Sequence, residues 1–156
     1  MDFKKYLANG LAAAKNARRN KEEIQCVIDE LSGVVNDYSE GLVSLMITTE
    51  QRLGKTSGLG SLVGGAAAAG LGLSISPFSE YQALTLVLKK GKIVKKAKIA
   101  EWRMDESDGY PCIISYNEND ISCGSKEMLE RALSGLISSA STGERLLQLI
   151  AEGKQE

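Results

Sequence analysis

The chain has 156 residues, 43% apolar and 25% charged, which suits one soluble domain built around a single buried core. A net charge of −1 argues, as an average, against a dedicated nucleic-acid or membrane-surface protein. The sequence contains no histidine, which removes Ser-His and Cys-His pairs and imidazole bases. Its three cysteines form no Cys-x-x-Cys pair, so no enzyme activity, metal site or cofactor is expected. Cys26, Cys112 and Cys123 are odd in number and widely spaced, and no long apolar run opens the chain. They read as reduced thiols of a cytoplasmic protein.

In chain order, residues 2–18 repeat Phe3, Leu7, Leu11, Ala14 and Ala17 near a period of 3.6, which predicts a helix with one apolar stripe. Asn20-Lys21-Glu22-Glu23 has the form of a capping box, with Asn20 as N-cap. It predicts a second helix carrying Ile24, Val27, Ile28, Leu31, Val34 and Val35 on its core face. Residues 41–50 then read as a strand, followed by the uncharged stretch GLGSLVGGAAAAGLGLSI at 58–75. This stretch has too little side-chain volume for a core strand and too much apolar surface for a solvated linker. It is expected to be a mobile insertion, spanning about 52–79, after the first strand of a continuous sheet.

The strand at 81–88 places Leu84, Leu86 and Leu88 on one face and Ala83, Thr85 and Val87 on the other. Lys89-Lys90-Gly91-Lys92 is a hairpin turn in which Gly91 takes positive φ, and 93–104 returns as the longest strand. An acidic turn at 105–109 precedes strands at 110–116 and 121–123. Ser125 caps a helix with Met128, Leu129, Ala132, Leu133, Leu136 and Ile137 facing inward. Ser141-Thr142-Gly143-Glu144 caps a last one with Leu146, Leu147 and Ile150. The expected fold is α+β: two N-terminal helices, an antiparallel sheet of four to five strands, and a C-terminal helical hairpin, with the helices on one sheet face.

Several candidate sites fail on spacing. Gly54-Lys55-Thr56 resembles the end of a phosphate-binding loop, but Thr49 stands where the loop needs its first glycine, and no helix pattern follows. Asp105, Glu106 and Asp108 could hold magnesium, yet a short acidic turn reads more simply as solvated. With the turn centred on Glu118 and Asn119, Cys123 falls opposite Ile114, one diagonal step from Cys112 and too far for a relaxed disulfide.

Two surfaces remain. The first is the apolar segment with its flank, where Arg52, Lys55, Leu59, Leu62, Val63, Leu71 and Leu73 are the candidate contacts to a protein partner or a second copy. Residues 58–75 also admit a close-packing helix through Gly60-x-x-x-Gly64, or membrane insertion. The second is a basic hairpin, Lys89, Lys90, Lys92, Lys95, Lys96 and Lys98 with Trp102 as a stacking residue. It would bind nucleic acid, helped by Lys4, Lys5, Lys15, Arg18 and Arg19. Adjacent Lys95 and Lys96 must point to opposite sheet faces, so these lysines do not form one stripe. The functional expectation is a small non-enzymatic binding or regulatory protein acting through protein–protein contacts, with nucleic-acid binding and then membrane association as alternatives.

Overall fold

A computed structural model of the chain describes residues 1–53 and 78–155. It is an α+β fold: α1 (Phe3–Tyr38), β1 (Val43–Leu53), β2 (Phe78–Lys90), β3 (Ile93–Asp105), β4 (Gly109–Tyr116), β5 (Asn119–Cys123), α2 (Lys126–Ile137) and α3 (Ala140–Lys154). The two expected N-terminal helices are one unbroken helix of 36 residues. A capping box acts only where the preceding chain leaves helical geometry. Here Leu11-Ala12-Ala13-Ala14-Lys15 and Lys21-Glu22-Glu23 are good helix formers with no breaker between them. Asn20 caps nothing; its Nδ2 donates to the Asp108 carbonyl at 3.0 Å, and Lys21 Nζ donates to the Glu106 carbonyl. The helix starts at Asp2, whose carboxylate accepts from the Lys5 amide.

The chain leaves α1 through Ser39, Glu40 and Gly41. Gly41 takes φ +84° and donates its N–H to the Asn36 carbonyl, so the residue expected to open the first strand lies in the turn before it. Buried Ser39 fixes the entry to β1: its hydroxyl accepts from the Val43 amide at 2.9 Å.

The sheet has five antiparallel strands in sequential order, β1-β2-β3-β4-β5. β1 and β2 pair from Val43↔Leu88 out to Leu53↔Phe78, so residues 54–77 join two strands that are partners to their ends. The β2–β3 turn holds Gly91 at φ +59°, as its sequence predicts. Asn117 and Glu118 both have positive φ and close a two-residue β4–β5 turn, one position before the expected centre. That shift places Cys112 directly opposite Cys123 rather than on a diagonal.

All three helices pack on one face of the sheet. Val43, Leu45, Leu84, Leu86, Leu88, Trp102, Cys112, Ile114 and Cys123 meet Ile24, Ile28 and Val35 of α1, Leu129, Leu133 and Leu136 of α2 and Leu149 of α3 in one core. On the other face, Ala83, Thr85 and Val87 are also buried, and Thr85 shares a 2.7 Å hydroxyl hydrogen bond with Thr48. Ser125 caps α2 as expected, its hydroxyl accepting from the Met128 amide. α3 begins two residues before its predicted start, because Ser139 takes the cap and accepts from the Thr142 amide. α3 approaches β2 closely at Gly153, where an added Cβ would stand 2.9 Å from a Leu88 methyl.

Candidate functional site

The helical layer does not bury all of its apolar residues. Val34, Met128, Ile137 and Leu147, expected to face inward, are exposed, with Val34 60% and Leu147 62% accessible. They follow the helical period only loosely: Val34, Ile137 and Leu147 each stand one residue from a core position, Val35, Leu136 and Leu146, at the edge of the buried stripe. Val34, Tyr38, Ile137 and Leu147 border an apolar groove of about 360 Å³ whose floor includes Leu45, Leu86 and Ile99. A shallower extension between α1 and α2 shares Leu31, Val34 and Ile137 and is edged by the carboxylates of Glu30 and Glu130. Tyr38 was not singled out from the sequence; its signal was its place at i+4 from Val34, which puts both on one helix face.

The first half of α1 is a second uncovered surface. Phe3, Leu7 and Leu11 form the predicted stripe, but the sheet ends short of them and all three are exposed, as is Tyr6. Among the described residues, the last support for the helix is the β3–β4 turn. There Gly109, at φ +85°, lies close under Asn20, Lys21 and Ile24, within 3.4 Å of where its Cβ would be.

The basic hairpin is divided as the alternation requires. Lys95 lies toward the helices and pairs with Glu152 at 3.0 Å, and that contact holds the Glu152 carboxyl below its ordinary pKa. Lys90 donates to the Gln155 carbonyl. Lys98 stands on the sheet face away from the helices, 5.1 Å from the centre of the Tyr81 ring and 3.9 Å from Glu101. Arg52 stacks on the same ring at 4.2 Å and also pairs with Glu101. Lys89, Lys92 and Lys96 are exposed and in no ion pair among the described residues. Trp102 does not accompany them. It is 1% exposed and faces the helices, because pairing with Gln82 and Ile114 puts it on the same side as Leu84. Trp102 is a core residue, and its stacking role is withdrawn.

Of the seven residues proposed around the apolar segment, the structure describes Arg52 alone. Lys55, Leu59, Leu62, Val63, Leu71 and Leu73, with Gly54-Lys55-Thr56 and residues 58–75, lie outside the described residues. In the acidic turn, Asp105 Oδ1 accepts from the Ser107 and Asp108 amides, both at 2.9 Å, which is a turn-stabilising role. Among the described residues, no group of three His, Cys, Asp or Glu side chains is placed to hold a metal ion. Cys112 and Cys123 are free and buried. Burial, then the neighbouring Cys123, pushes the Cys112 thiol up to about 12, and burial also raises Cys123, so neither is an activated nucleophile. Tyr110 donates to Glu23 at 2.7 Å, and burial with that bond raises its pKa well above the ordinary phenol value. No helix among the described residues is long and apolar enough to cross a membrane. Comparison with known protein families, with curated proteins and with solved structures returns no match.

Proposed function

We propose that this chain is a non-enzymatic binding protein that works through protein–protein contact, using its helical layer as the contact surface. The observation that carries this reading is the groove between α1, α2 and α3: an apolar floor, an exposed rim of Val34, Tyr38, Ile137 and Leu147, and two carboxylates at its extension. A groove of this form takes the apolar side of an amphipathic polypeptide segment, and Glu30 favours one with a basic flank, while Glu130 is already paired with Lys126 at 3.8 Å. Exposed apolar side chains that converge on one concave surface differ from the scattered ones of an ordinary protein exterior. Residues 52–79 supply a further contact in the same reading.

The alternative is nucleic-acid binding by the basic hairpin 89–98, favoured by Lys89, Lys92 and Lys96 being exposed with no acidic partner among the described residues. Arg52 and Lys98 weigh against it, since both are already held by Tyr81 and Glu101. A photo-crosslinking amino acid at Val34 or Leu147, compared with one at Lys92 or Lys96 in the producing cell, separates the two. Polypeptide adducts from the groove positions support the proposal. Nucleic-acid adducts from the hairpin with none from the groove overturn it.

A further inference from the structure

The strand β3 has a neighbour along only part of its outer edge. It pairs with β2 from Ile93 to Trp102, but with β4 only from Glu101 to Asp105. At Asn117 and Glu118 the chain turns from β4 into β5, so among the described residues 93–100 have no strand beside them on the side away from β2. That free edge is about 23 Å long at the ordinary strand rise. Lys90 and Ile93 flank a two-residue turn, the place of a hydrogen-bonded pair. The alternation of an antiparallel ladder then turns the N–H and C=O of Val94, Lys96 and Lys98 outward. Lys98 agrees, since its carbonyl accepts from Arg145 of α3. No other described residue bonds these outward groups. A shallow groove lined by Lys96, Ala97, Arg145, Gln148 and Leu149 runs between the edge and α3. A second hollow, bordered by Ser141 and the β4–β5 turn, continues it and shares Arg145.

We propose that the free edge of β3 takes an extended acidic segment of another polypeptide, added to the sheet as a further strand. This goes beyond the reading of the helical groove, uses a different surface and stands or falls separately from it. The outward backbone groups supply the ladder that such a strand needs. Charge selects its sequence. Lys96 is exposed on the sheet face away from the helices, with Lys92 near the open end of the edge, and neither has an acidic partner among the described residues. Arg145 is in no ion pair among them either, and holds only a neutral carbonyl. An incoming carboxylate is the stronger acceptor for its guanidinium and releases the Lys98 carbonyl to the ladder. Side chains of an added strand alternate between the two faces. Carboxylates at alternate positions therefore pass Lys96, and the small apolar residues between them meet Ala97 and Leu149. A second copy would set lysine against lysine along the same edge, which opposes pairing. A phosphate chain would meet the lysines but offers no donors for the outward carbonyls of Val94 and Lys96.

Amide NMR of the isotope-labelled full chain, titrated with a peptide of about eight alternating glutamate and valine residues, tests this. The expected result is that the amides of Val94, Lys96 and Lys98 shift together, while a peptide with lysine in place of glutamate leaves them unmoved. Lys96→Ala removes the charge alone and should weaken binding a little. Lys96→Pro also removes an outward N–H, which an edge strand tolerates, and should weaken binding by about a further tenfold. Arg145→Glu, which leaves the strand backbone untouched, should weaken it by about tenfold or more. Circular dichroism shows that each variant stays folded. No shift at millimolar peptide overturns the proposal, as does binding indifferent to Arg145→Glu. Equal binding by folded Lys96→Pro and Lys96→Ala overturns the added strand. Tighter binding of a thymidine oligonucleotide at the same amides overturns it in favour of nucleic acid. Shifts of those amides with protein concentration alone overturn it in favour of a second copy. Adducts at Val34 and Leu147 report on the helical groove whatever happens at this edge.

Discussion

The two halves of α1 have the same kind of sequence and different fates. Both repeat apolar residues near the helical period, but Ile24, Ile28 and Val35 are in the core while Phe3, Leu7 and Leu11 are in water. What separates them is the reach of the sheet, which ends at the β3–β4 turn beneath Asn20 and Lys21, and the turn of the helix, which sets Leu7 about 100° around the axis from Ile24. The first half stays helical because the second supplies the nucleus and its alanines propagate the helix at little cost. An amphipathic pattern therefore states that a face needs cover, and not which molecule supplies it.

The largest expected effect breaks the comparison directly. Ile28→Ala should destabilise the fold by about 2–5 kcal/mol in chemical denaturation, whereas Leu7→Ala in dilute solution should change it by less than about 0.5 kcal/mol. Similar losses at both positions would mean that the first half is packed too. Lys21→Pro tests whether α1 is continuous. Proline inside a helix costs about 3 kcal/mol, while at the first position after a cap it is well tolerated, so a large loss relative to Lys21→Ala is expected.

The covered half also sets an alkaline limit. Tyr110, bound to Glu23 of α1, and Cys112 both have pKa values raised by folding. Each therefore contributes stability that is complete below its unfolded pKa and lost as pH rises through the folded value. Stability should fall from about pH 9 toward pH 12, and Cys112→Ala should flatten the first part of that fall, measured by denaturant midpoints. In the native protein a thiol reagent should modify Cys26 rapidly, and Cys112 and Cys123 only on unfolding. The smallest effect concerns the sheet face away from the helices. Arg103→Ala removes an exposed 3.8 Å pair with Asp120 and should shift stability by less than about 0.5 kcal/mol.

The strands, Ser125 as a cap, and Gly91 in the β2–β3 turn were legible because each is set by a short run of residues: alternation, a hydroxyl before a helix, a residue that accepts positive φ. Errors arose where distant residues decide. Asn20 looks like a cap until the acidic turn, 88 residues away, claims its side chain. Trp102 looks like part of a basic patch until strand pairing assigns it to the core side. The one-residue shift of the β4–β5 turn changed the pairing of Cys112 and Cys123, since both turn residues had to accept positive φ and neither is glycine. The groove was hidden for a related reason. Val34, Ile137 and Leu147 stand at the edges of their apolar stripes, and a sequence pattern does not say how far the cover of neighbouring elements extends.

Amide hydrogen exchange along α1 tests most directly the claim that one helix is half core and half uncovered. Residues 24–35 should exchange near the global unfolding limit, and residues 5–18 should exchange fast. Equal protection of the two halves would contradict a division within α1.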